Sequence, residues 1–178
     1  MKLIVVRHGL TVGNEKELFI GQYDDVLSAA GKKSLPKLVE TLHDADFSAA
    51  YSSPLQRTLH TALPLAEDHG LKLQVDPRII EVNVGEFTMK PRNATLPVLR
   101  KSSTDLLDSY QYDFTRYGGE SAEQVKRRVR EFLTDLRKSN SSSVLIVTHG
   151  GIIRWFYLLL NGSKVSRFPN TSQHFFEL

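Results

Sequence analysis

Two short stretches constrain this chain more than anything else in it. Leu3-Ile4-Val5-Val6 runs straight into Arg7-His8-Gly9, and Leu145-Ile146-Val147-Thr148 runs straight into His149-Gly150. Apolar, mostly β-branched runs of this kind read as parallel strands buried on both faces. Open α/β sheets place their ligands beyond the carboxyl ends of such strands. A single histidine at a strand end is usually structural. Two, in near-twin contexts, predict one shared site at one edge of the sheet.

Between the twin strands the chain alternates strand and helix. A glycine-containing loop, Leu10 to Leu27, follows the first strand, where backbone can approach an anion closely. Ser28 reads as the N-cap of a helix whose Leu35, Leu38, Val39 and Leu42 face the sheet, with a kink expected at Pro36. Phe47 to Ser52 reads as a second strand. Ser53-Pro54 predicts a helix start, with Ser53 as N-cap and Arg57 in the opening turns. Its stripe is Leu55, Leu59, Ala62 and Ala66, with a second kink at Pro64, and Gly70 ends it. Leu71 to Val75 is a third strand. The stretch from Arg78 to Gly119 is irregular, with one helix expected at about Leu96 to Tyr110. Ser121 and Gln124 form a capping box ahead of an amphipathic helix through Val125, Val129, Phe132, Leu133 and Leu136. After the His149 strand come a helix over about Gly151 to Leu160 and a terminal strand over Gln173 to Leu178. The expectation is one domain over residues 1–178, a three-layer α/β sandwich with a mostly parallel sheet and helices on both faces.

Composition narrows the function classes. The 178 residues contain no cysteine, so disulfides and a thiolate nucleophile are excluded. The N-terminus shows no signal-peptide pattern, and the apolar run Ile152 to Leu160 is broken by Arg154 and too short to span a bilayer. The expectation is therefore a cytoplasmic protein without a membrane partner, as a monomer or homodimer. A net charge of +3 favours anionic ligands mildly, but no Lys/Arg stripe suggests nucleic acid.

The residues at the predicted edge define a chemistry. The planar forks of Arg7 and Arg57 suit a phosphate or carboxylate. Two arginines, two histidines and helix N-terminal amides converging on one point would make a phosphate site. A neutral imidazole nitrogen is a competent nucleophile toward phosphorus. Glu81 can give a leaving oxygen its proton, with Glu86 as a nearby competitor. Asn14 and Gln22 are candidate pocket residues, although glycine-rich loops also use Asn for turns. His43, His60, His69 and His174 read as ordinary helix or strand residues. No ligand-spaced carboxylate or histidine accompanies His8 and His149, so no metal site is expected.

At these residues the chain resembles the histidine phosphatase superfamily, in its phosphoglycerate mutase-like branch. The opening motif is matched by Arg7-His8-Gly9, Thr11 and Asn14. Gly21, Asp24, Leu27-Ser28 and Gly31 follow, then Ser52-Ser53-Pro54-Leu55-Gln56-Arg57 with Thr61-Ala62. The acid segment is matched by Glu81, Gly85 and Phe87, and later motifs by Gly118-Gly119-Glu120-Ser121 and Thr148-His149-Gly150-Gly151. Leu10, Val26 and Thr88-Met89 stand where the family often has Glu, Pro and Glu-Gly.

The resemblance implies a metal-independent, cofactor-free phosphatase of small phosphorylated metabolites, working through a phosphohistidine on His8. Arg7, Arg57 and His149 would bind the phosphoryl group, with Asn14, Gln22 and Gly150 lining its pocket. Glu81 would act as general acid and then as base for water. A short covering segment is expected at about 88–117, where most of Lys90, Arg92, Arg100, Lys101 and Arg116 read as a solvated face, with a second anionic group as their alternative partner. Two other readings stand beside this one: mutase-type transfer to a sugar acid, and a non-catalytic phosphate binder on the same fold.

Overall fold

The computed structural model describes residues 1–95, 110–165 and 167–178. Its main elements are β1 (Lys2–Arg7), α1 (Val12–Glu15), α2 (Ala29–Leu42), β2 (Ala49–Ser52), α3 (Gln56–Asp68), β3 (Leu73–Val75), α4 (Ala122–Arg137), β4 (Ser143–Thr148), α5 (Gly150–Asn161) and β5 (Gln173–Glu177). The strands lie in the order β3-β2-β4-β1-β5. All neighbours pair in parallel except β5, which runs antiparallel to β1.

Every residue of β4 is buried, and its side chains divide between two cores. Val144 and Ile146 join Val125, Val129, Phe132, Ile152 and Phe156, beneath α4 and α5. Leu145 and Val147 join Val6, Leu38, Leu42, Ala62 and Leu65, beneath α2 and α3. A strand apolar on both faces therefore carries helices on both, giving three layers. Burying each such aliphatic side chain is worth about 1.5–3 kcal/mol, which fixes β4 and its partner β1 at the centre.

Local signals hold where they are self-contained. Ser28 caps α2 by accepting from Gly31 N, and Ser121 with Gln124 closes the predicted capping box on α4. All five predicted apolar positions of α4 are buried. Helices α2 and α3 each run through their proline as one element.

Three expectations change. Helix α3 starts at Gln56, with Leu55 at the N-cap position and Ser53 outside the helix. The carboxylate of Asp24 caps it from a distance, accepting from Gln56 N at 2.7 Å. Leu65 takes the buried position in its stripe, whereas Leu59 is half-buried. The loop after β1 also contains the short helix α1, capped by Thr11.

The helix expected at about Leu96 to Tyr110 falls outside the described residues except for Tyr110, as do Arg100 and Lys101. Three other cations of the covering segment sit against aromatic rings: Lys90 against Phe87, Arg92 against Phe19 and Arg116 against Tyr117. No helix among the described residues is long and apolar enough to cross a membrane.

Candidate active site

The register of β1 on β4 pairs Arg7 with Thr148, and His8 N donates to Thr148 O at 3.0 Å. The two histidines therefore leave adjacent strand ends side by side. Their ring centroids are 5.2 Å apart, and they are 3% and 0% exposed. Burial holds both imidazoles well below their usual pKa of 6.5, and Arg57 and Arg7 push in the same direction. Both rings are thus neutral at pH 7.

Their hydrogen bonds assign opposite tautomers. His8 Nδ1 lies 2.8 Å from the carbonyl of Gly9, which only accepts, so Nδ1 carries the proton and Nε2 the lone pair. Arg57 Nε donates to His149 Nδ1 at 3.3 Å. The His149 proton is then on Nε2, which donates to Ser53 Oγ at 2.7 Å. Ser53 Oγ also accepts from Leu55 N at 3.4 Å, ahead of the first residue of α3.

The two arginines are held differently. Arg57, 1% exposed, also donates to Tyr23 O and Gly21 O at 2.7 and 2.8 Å. It ties the loop after β1 to His149. Arg7 donates from Nη1 to Phe168 O, while its buried Nε has no hydrogen-bond partner among the described residues. Burial pulls its pKa down to about 10, against the attraction of Glu81, so it stays cationic at neutral pH. An unmatched N–H on a buried cation is costly unless a ligand completes it.

Glu81 stands at the opening of α5. Its Oε1 accepts from Val82 N at 2.9 Å and its Oε2 from Gly151 N at 3.4 Å. A Cβ at position 151 would collide with Glu81 Oε1, so only glycine admits the carboxylate to this helix end. Gly150 lies beside Arg7, with space for a Cβ 3.6 Å from Arg7 Nε. The competing Glu86 is exposed.

The two loop candidates have support contacts. Gln22 Nε2 donates to Glu81 O at 2.9 Å and Glu120 Oε2 at 3.4 Å. Asn14 Oδ1 accepts from Asn170 Nδ2 at 3.2 Å, and the same amide reaches His8 O at 3.0 Å. Thr61 Oγ1 accepts from Gly9 N at 3.0 Å. Asn170 is not among the residues expected from the sequence, and nothing in its loop marks it. Ser53, Thr61 and Glu120 stood inside quoted motifs, but their contacts appear only in three dimensions.

The arrangement offers a neutral imidazole lone pair, two guanidinium groups, helix N-terminal amides and a carboxylate around one strand edge. That suits transfer of an anionic group: cations and amides hold its oxygens, the lone pair attacks, and the carboxylate handles a proton. Among the described residues no cluster of three His, Asp or Glu could hold a metal ion.

Comparison with known proteins gives this geometry its context. The sequence pattern of the histidine phosphatase superfamily (branch 1) matches residues 3–177. The chain is 32% identical over 179 residues to phosphoserine phosphatase 1 of Hydrogenobacter thermophilus, covering 94% of this chain and 80% of that protein. It superposes on mycobacterial glucosyl-3-phosphoglycerate phosphatase in complex with VO3 with a TM-score of 0.87, at 27% identity, covering 98% of this chain and 91% of the other. A phosphoglycerate mutase from Bacillus anthracis superposes with a TM-score of 0.88, at 26% identity, covering 98% and 86%.

Proposed function

The chain belongs to the histidine phosphatase superfamily (branch 1), and from that premise we propose that it hydrolyses small phosphate monoesters through a phosphohistidine on His8. The observation that carries this reading is the pairing of the His8 Nε2 lone pair with an Arg7 Nε–H that has no partner among the described residues, both at one strand edge.

In the first half-reaction His8 Nε2 attacks phosphorus and the ester P–O bond breaks. The departing oxygen takes a proton from Glu81. Arg7, Arg57 through its N–H groups beyond the three that bind His149, Tyr23 and Gly21, and the Gly150 amide hold the three equatorial oxygens. His149 adds the Nε2–H that Ser53 now accepts. In the second half-reaction water attacks phosphorus and gives its proton to the Glu81 carboxylate. The P–N bond breaks, and phosphate and neutral His8 are released. Little covalent work falls to the protein, so positioning and electrostatic stabilisation carry the rate.

The test is a rapid quench with 32P-labelled phenyl phosphate. A base-stable, acid-labile phosphoenzyme whose label maps to His8 is expected, with vanadate inhibiting competitively. Turnover with no trapped phosphoenzyme, or with label elsewhere, overturns the reading. A burst of mutase activity when bisphosphoglycerate and phosphoglycerate are supplied, at rates above hydrolysis, would assign the mutase reading instead.

A further inference from the structure

Glu81 lies on a segment with no strand or α-helix of its own, between the 3-10 turns Pro77–Ile79 and Gly85–Phe87. A carboxylate that must meet a leaving oxygen within hydrogen-bond reach needs a fixed backbone. Resting on the reading of Glu81 as the acid, we propose that Arg128 and Glu120 are its positioning residues, a paired clamp that sets the height of the acid over His8.

A guanidinium has five N–H groups in a rigid fork, and every one on Arg128 has an acceptor. Nη1 donates to the carbonyls of Arg78 and Ile80 at 2.7 and 2.6 Å. Nη2 donates to the Glu81 carbonyl at 3.2 Å and to Glu120 Oε2 at 3.1 Å. Nε donates to Glu120 Oε1 at 2.9 Å. One side chain thus gathers three carbonyls of the acid segment, ending at Glu81 itself.

Glu120 holds the other side. Its Oε2 also accepts from Asn83 N at 2.8 Å and from Gln22 Nε2 at 3.4 Å. Gln22 in turn donates to the Glu81 carbonyl, so that oxygen has two donors, one from Arg128 and one from Gln22. The backbone repeats the link, since Glu120 N donates to Asn83 O at 2.9 Å. The approach is close enough that a Cβ at Gly119 would lie 2.5 Å from Asn83 O. Arg128 and Glu120 side chains are only 15% and 20% exposed, so this pair is poorly screened by water. It touches Glu81 at the backbone and leaves the carboxylate to Val82 N and Gly151 N. The pair therefore acts through where Glu81 stands, not on the reacting atoms.

This separates from a merely structural role by leaving-group dependence. A misplaced acid slows departure of a basic oxygen and spares a weakly basic one. The experiment is single-turnover phosphoenzyme formation with 4-nitrophenyl, phenyl and benzyl phosphate, on the wild type and on Arg128→Lys, Glu120→Gln, Glu81→Gln and Glu81→Gln/Arg128→Lys. Lysine keeps the charge but cannot reach five acceptors. Arg128→Lys is expected to slow benzyl phosphate by about 10- to 100-fold, the scale of a displacement near 1 Å, and 4-nitrophenyl phosphate by no more than about threefold. Glu120→Gln should show the same order of substrates, and serves alone if Arg128→Lys does not fold. The double variant should be no slower on benzyl phosphate than Glu81→Gln. Equal slowing of all three substrates, or an Arg128→Lys effect that adds fully to Glu81→Gln, overturns the clamp while a leaving-group-dependent Glu81→Gln keeps the acid. A Glu81→Gln effect that ignores the leaving group removes the acid and the clamp together.

Discussion

The ends of β1 and β4 are near-copies in sequence and neighbours in space, yet they are wired differently. At the end of β1, His8 spends one nitrogen on its own chain and leaves the other open, while Arg7 keeps a buried N–H without a partner among the described residues. At the end of β4, both nitrogens of His149 are taken, by Ser53 and Arg57, and Thr148 gives its hydroxyl to Ile79 O. Without a ligand, one strand end keeps its bonding capacity free; the other spends it on the site and must turn its Nε2–H from Ser53 to meet a phosphoryl group. Two histidines in near-twin stretches need not share a job, and their hydrogen bonds give the proposed nucleophile and the proposed supporting ring different surroundings.

Exchanging the two histidines for alanine tests that division most severely. His8→Ala should form no phosphoenzyme and lose turnover to background, because the attacking nitrogen is gone. His149→Ala keeps the nucleophile and loses one stabilising donor. It should still form phosphoenzyme, slower by about 100- to 1,000-fold, the usual cost of such a donor. Quench-flow on both variants reads the difference directly. A phosphoenzyme in His8→Ala, or none in a folded His149→Ala, would reverse the assignment.

The register pair Arg7 and Thr148 sharpens the comparison at lower amplitude. Arg7→Ala should cost about 100- to 1,000-fold in kcat and weaken vanadate inhibition, with the smaller effect on stability, because among the described residues its Nε–H has no partner and the side chain gives up the bond to Phe168 O. Thr148→Val should do the opposite. It keeps the shape but leaves the Ile79 carbonyl unmet in a fully buried place, at a cost of about 1–3 kcal/mol, with kcat within a few-fold of wild type. Urea unfolding beside a vanadate titration distinguishes the two. Similar profiles for both variants would mean that the strand ends are not divided between ligand and scaffold.

The same division decides what could be read from the sequence. The buried strands, the α4 stripe from Val125 to Leu136 and the Ser121–Gln124 box were legible because each is set by residues a few positions apart. The start of α3 was not. Its expected cap, Ser53, is drawn to His149, 96 residues away, and Asp24 caps the helix from 32 residues away. The lone pair of His8 could be anticipated from a strand-end histidine, but the full engagement of His149 could not. Arg128 was the least legible of all. On the polar side of an amphipathic helix an arginine reads as solvated, and only the fold brings three carbonyls of the acid segment to it.

The smallest effect is also the most direct view of the two strand ends. Nitrogen-detected NMR of 15N-histidine enzyme, assigned with His8→Ala and His149→Ala, should show two neutral rings of opposite tautomer at pH 6.5. His8 should carry its proton on Nδ1 and His149 on Nε2. Both rings have pKa values held below 6.5 by burial and by the neighbouring arginines, so neither should titrate where a free imidazole does. The sign for stability follows. The unfolded chain binds protons at these two histidines near pH 6.5 and the folded one only well below it, so their contribution is fully present above pH 6.5 and is lost as pH falls toward the folded values. Adding vanadate should move the His8 Nε2 resonance, where the lone pair meets the ligand, and disturb His149 less. Identical tautomers in the two rings, or an ordinary titration of either, would dissolve the contrast between an open strand end and a closed one. The roles of the two histidines would then have to be told apart by kinetics alone.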